Sequence, residues 1–225
     1  PGYGTAAALR AEYQGLASVL EGSPGASTAA AYWSDYPRRL IVYRRALIDS
    51  ELRLRGLSET GDGDADIGFT RGEWPAVSIG SNDLAVLKQE SPIREGRIPI
   101  PSSSQQLWAQ HKYSVMARDP ALYKELGPRV SGSDSNDFFK EVAATCTRLV
   151  YQRPEEGRLR NALQHMWGYV SEYVGPSMHA RGVSVYGLAR LIRRLTVEHS
   201  VAYLWHSTAL SDLEVWARLF DGASS

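Results

Sequence analysis

Apolar positions along this chain recur with helical spacing in almost every segment. Leu9, Tyr13, Leu16 and Leu20 share one face of a helix predicted over 5–21, which ends before the Gly22-Ser23-Pro24-Gly25 breaker. A second helix is predicted over 37–55, with Asp35 as its cap, Pro37 near the first turn and Gly56 as its stop. The pattern fails over 57–103. There, Gly61-Asp62-Gly63-Asp64 reads as a loop, Ala76-Val77-Ser78-Ile79 as a short strand, and Ser81 as the cap of a helix at 82–89, before punctuation up to Pro99-Ile100-Pro101. Helical spacing returns over 104–118, 120–127, 135–152, 158–174 and 183–207, and a last helix over 212–220 opens with the capping box Ser211…Glu214. The expected fold is mainly α. An N-terminal helix pair with an irregular, proline-rich insert (1–103) precedes a C-terminal helical bundle (104–225).

Charges break the pattern in one place. On the wheel of helix 37–55, Leu40, Ile41, Tyr43, Leu47, Ile48, Leu52 and Leu54 occupy one broad arc, and Arg44, Glu51 and Arg55 fall inside it. Glu51 and Arg55 are spaced i,i+4 and can pair directly. Charges on a core-facing stripe must be paired or line a cavity, because burying them alone costs several kcal/mol. Two readings follow: a structural ion network, or an anion-binding cavity with Glu51 as base.

Helix 158–174 carries a second polar set. Leu159, Ala162, Leu163, Met166, Val170 and Tyr173 form its core stripe, while Asn161, His165, Gly168 and Glu172 lie on another face. A mid-helix glycine costs about 1 kcal/mol against Ala, so Gly168 suggests close approach by a backbone or ligand. This face is either a polar seam between helices or a site wall with His165 as acid/base. His111 sits on the apolar face of its helix beside Leu107, Trp108 and Val115, where a core histidine bonded to a neighbour is the ordinary outcome. His199 and His206 are spaced i,i+7, which is no zinc pattern, and Arg190, Arg193 and Arg194 read as a solvated face. Asp62, Asp64 and Asp66 lack the glycine and glutamate offsets of a calcium loop, and Cys146 reads as packing. No metal or cofactor is expected.

Composition adds two constraints. The 225 residues balance 25 Lys+Arg against 25 Asp+Glu, which argues against a nucleic-acid partner. Of the basic residues 21 are Arg, which fits a GC-rich genome and equally a task in bidentate oxyanion binding. No run of 18 apolar residues and no signal-like segment is visible, so a cytoplasmic protein without membrane spans is expected.

Two segments carry a family likeness. Leu107-Trp108-Ala109-Gln110-His111-Lys112-Tyr113-Ser114-Val115-Met116-Ala117-Arg118 continues into Tyr123-Lys124-Glu125-Leu126-Gly127, and Asn161-Ala162-Leu163-Gln164-His165-Met166-Trp167-Gly168-Tyr169 follows. Together, over 104–175, they resemble the YbgA-like family (domain of unknown function 1722), with its H/Y-K-x-x-x-x-A-H-S-x-x-x-Y-x-x-L-G block and later N-V-L-x-H-x-x-G-Y. Arg118 stands where the family has His, and the family's late Lys-His-Tyr cluster has no clean counterpart near Glu198-His199. The family has no assigned reaction. Its members occur beside or fused to thiouracil-desulfidase and photolyase functions, which implies pyrimidine or nucleic-acid metabolism. The chain also resembles the aziridine-forming proteins of azinomycin-type antibiotic pathways.

Two functions are therefore expected. In the first, a cofactor-free cyclase or lyase of natural-product biosynthesis holds a small anionic substrate, free or on an acidic carrier protein. Arg44, Arg55 and Arg38 grip the anion, with Lys112, His111, Asn161 and Glu172 as further binding residues. Glu51 or His165 moves the proton while an internal amine expels sulfate and closes an aziridine. In the second, the chain is a non-catalytic YbgA-like module linked to nucleic acid or pyrimidines. Apolar residues in 74–101, from Trp74 to Ile100, predict a dimer or hetero-complex that covers them.

Overall fold

The computed structural model describes residues 1–22, 28–57, 96–132, 135–175 and 182–222. The strand expected at 76–79, the helix at 82–89 and the acidic loop at 61–66 lie outside them. Among the described residues every regular element is helical: α1 (Ala6–Leu20), α2 (Thr28–Trp33), α3 (Arg38–Leu54), α4 (Ser104–Arg118), α5 (Pro120–Gly132), α6 (Asn136–Val150), α7 (Glu156–Trp167), α8 (Val185–Glu198), α9 (Ala202–Trp205) and α10 (Ala209–Gly222). The mainly α fold stands.

Helix α3 is the central element. Tyr43, Leu47 and Leu54 pack with α7, α8 and α10, whereas Ile41, Ile48 and Leu52 face α1 and Trp33. Apolar residues on two sides explain the breadth of its hydrophobic arc. Helix α3 thus joins two clusters, one with α1 and one with the C-terminal helices. A further cluster joins Tyr3 and Ile98 to α4, α5 and α6. Ile98 is fully buried there, so this part of the apolar insert is covered by the chain itself. Gly96 permits it: a Cβ at that position would lie 2.5 Å from the Tyr3 carbonyl oxygen.

Several boundaries differ from expectation for identifiable reasons. Asp35 does not cap α3; Pro37, in extended conformation, holds the N-cap position. Helix α5 continues through Gly127 and Pro128 to Gly132. The 158–174 element stops at Trp167, and a short 3-10 turn follows at Ser171–Tyr173. Gly168 is therefore a helix cap, and a Cβ there would meet only the His165 carbonyl oxygen at 3.4 Å. No close approach explains it. The 183–207 element breaks at Ser200, whose φ is 51°; the Val201 N–H donates to the Thr196 carbonyl and the Ser200 N–H to Val197, closing a Schellman turn. Finally, α10 begins at Ala209, three residues before the expected start, so Ser211 and Glu214 lie within the helix and form no capping box.

Candidate functional site

The charged stripe of α3 resolves into separate ion pairs. Glu51 has no exposed surface, and Arg97 grips it from Nε and Nη2 at 2.9 and 2.8 Å. The Arg55 Nε donates to the same carboxylate at 2.9 Å, and its two remaining nitrogens donate to the carbonyls of Gly4 and Gly2. Arg97 also donates to the Trp205 and Ser207 carbonyls. Burial alone raises the Glu51 pKa, but the hydrogen bonds and charge of Arg97, with Arg55, hold it down to about 2. Glu51 is thus a poor proton acceptor and a good structural pin. It ties α3 to the N-terminal segment, to residues 96–98 and to the turn before α10.

Arg44 does not join it. Its guanidinium forms a bidentate pair with Glu12 of α1, both bonds 2.8 Å. Arg38 is exposed and caps the Leu20 carbonyl at 2.7 Å. The three arginines expected to share one anion are therefore committed to three different partners.

Arg118, the departure from the family pattern, also has a structural role. It pairs with Asp212 through two 2.8 Å bonds and donates to the carbonyls of Ser114, Val150 and Gln152. The Tyr43 hydroxyl donates to Asp212 at 2.7 Å and accepts from the Trp216 indole at 2.8 Å. A histidine cannot reach so many acceptors.

His111 is a core histidine. Its Nε2 lies 2.8 Å from the Tyr3 hydroxyl, which donates to Gln110, and burial pushes its pKa down to about 4. Asn161, His165 and Glu172 are exposed, so the α7 face looks outward and forms no seam between helices. His199 caps α8 and stacks on Tyr173 at 4.0 Å, apart from any metal-like grouping among the described residues. Burial raises the Cys146 thiol to about 12, consistent with packing.

What the fold does assemble is an aromatic surface around Lys112. Its Nζ lies 4.9 Å from the Tyr113 ring and 5.1 Å from that of Tyr203. Tyr169 stacks on Tyr203 at 4.9 Å and 16°, and meets Tyr113 edge-on at 6.5 Å. Tyr169 and Tyr203 remain 40% and 36% exposed, whereas Tyr113 is buried. Burial lowers the Lys112 pKa, but its hydrogen bond to Tyr203 and the nearby phenols outweigh this and raise it. Burial, then the hydrogen bond to Tyr169, raises the Tyr113 phenol, and burial also raises that of Tyr203. The cluster thus offers one ammonium and neutral phenol donors beside open ring faces.

Residues 112–185 match the family model described as Protein of unknown function (DUF1722). The match covers about a third of the chain and supports the YbgA-like resemblance. No curated protein and no solved structure matches the chain. Lys112, Tyr113 and Tyr169 belong to the DUF1722 segment, and Tyr203 reaches it from α9 outside. Tyr203 was missed in the sequence because the break at Ser200, which swings α9 back onto the bundle, lacks the usual glycine. Among the described residues no helix is long and apolar enough to cross a membrane.

Proposed function

We propose that this chain binds a nucleotide-like ligand, a planar base bearing an anionic group, on the face formed by Lys112, Tyr169 and Tyr203, with the buried Tyr113 ring packed against Lys112 and Tyr169. One observation carries the reading: Lys112 and Tyr169, distant within the DUF1722 segment, meet with Tyr203 in one exposed cluster. Exposed tyrosine faces accept any base by stacking, worth about 1–3 kcal/mol per base. The ammonium and the phenol hydroxyls supply donors to a phosphate or ring carbonyl. The pyrimidine chemistry implied by the YbgA-like resemblance agrees with such a ligand. Ring closure with Glu51 as base has less support, since that carboxylate already accepts three guanidinium hydrogen bonds.

Calorimetric titration with uridine monophosphate and uridine tests the proposal. The monophosphate binds more tightly than the nucleoside. Tyr203→Ala weakens both by about 5- to 150-fold, matching the stacking contribution. Lys112→Gln abolishes the preference for the monophosphate. Equal affinity in all variants, or no binding at low salt, overturns the reading.

A further inference from the structure

A second group of residues, separate from the tyrosine face, sits where α3, α8 and α10 meet. Each helix brings arginine to it: Arg53 from α3, Arg190 and Arg193 from α8, and Arg218 from α10. The carboxylates present are already engaged. Glu214 accepts from Ser50 and from Arg193, both at 2.7 Å, and Asp49 pairs with Arg53 at 2.8 Å. Arg190 lies over the Tyr186 ring at 5.8 Å. Arg218 is the anomaly: both of its terminal nitrogens are shielded from solvent and make no hydrogen bond, and the Arg53 Nε is in the same condition.

A shielded guanidinium without an acceptor forfeits its hydration for nothing in return. Such an orphan in a native fold calls for a missing partner. Proximity is supported by Tyr186: burial and Glu214 raise its pKa, while Arg218, Arg190 and Arg53 lower it, so all three arginines bear on one hydroxyl. Four arginines against two carboxylates leave two positive charges. A carboxylate ligand neutralises one; a sulfate or phosphate group neutralises both and presents oxygens to a forked donor.

The geometry points to an oxyanion site for a sulfate or phosphate group, held by Arg218 and Arg53 with Arg190 at its rim and Tyr186 beside it. The exposed Arg190 marks the side from which the anion enters. The site does not depend on the tyrosine face and stands or falls separately from it.

Thermal unfolding in sodium sulfate, phosphate and acetate, each against chloride at equal ionic strength, tests the site. Sulfate and phosphate raise Tm along a saturating curve, by about 5–10 °C at 100 times the dissociation constant; acetate does not. Arg218→Gln loses the saturating component and, in chloride, melts no lower than the parent chain, because no bond is removed. Arg53→Gln weakens the response, and Lys124→Gln, at an exposed lysine outside both sites, keeps it whole. A linear, non-saturating rise shared equally by the parent and Arg218→Gln is the general salting effect of these ions and overturns the site. So does an Arg218→Gln chain that melts well below the parent in chloride, since Arg218 then already has its partner.

Discussion

Removing the Glu51 charge strands Arg97, a guanidinium with no exposed surface of its own. Glu51→Gln is therefore expected to destabilise by about 3–5 kcal/mol, the cost of an uncompensated buried charge, as read by denaturant unfolding. A variant as stable as the parent, or more so, restores Glu51 as a strained functional group. His111 supplies a pH dependence. Its folded pKa, about 4, is below the ordinary 6.5, so the unfolded chain binds a proton first. Stability present above pH 6.5 declines as pH falls towards 4, by on the order of 3 kcal/mol. His111→Gln flattens this window, and parallel pH profiles for both proteins contradict the assignment. The Glu51–Arg55 pair was legible from i,i+4 spacing. Arg97 was not, because it sits in a proline-punctuated stretch where no period says which side chains turn inward.

Helices were legible wherever an apolar stripe ran unbroken, and their ends were legible only where the stop residue was the usual one. Gly56, at φ 69°, closes α3 as its position suggests. Ser200 occupies the same left-handed geometry at φ 51° without being glycine, so the periodic pattern ran on through it. The left-handed penalty of about 1–2 kcal/mol, less the unfolded-state entropy of glycine at about 0.5–1, sets the expected gain. Ser200→Gly raises stability by about 0.5–1 kcal/mol in chemical denaturation. A loss means the Ser200 side chain makes a contact that outweighs the strain. The stripe charges of α3 carried a similar ambiguity: a wheel places Arg44 and Glu51 on one arc but cannot show that α1 lies against one part and the 96–98 segment against another.

At the scale of the whole molecule, neutral net charge conceals a partition. Most arginines near the core are spent on carboxylates and carbonyls that lock helices together, as Arg97 and Arg118 do. Lys112, in the segment that matches DUF1722, instead lies between the buried ring of Tyr113 and the exposed ring of Tyr203. The arginine excess suggested oxyanion binding at Arg44 and Arg55, but the fold pairs both with carboxylates; the guanidinium whose terminal nitrogens are buried without an acceptor is that of Arg218. Amide chemical-shift mapping during titration with uridine monophosphate tests the central claim most directly. Shifts centred on Lys112, Tyr113, Tyr169 and Tyr203, saturating together and absent in Tyr203→Ala, are the predicted result; shifts centred on Arg44, Glu51 and Arg55 of α3, with the tyrosine face silent, contradict it.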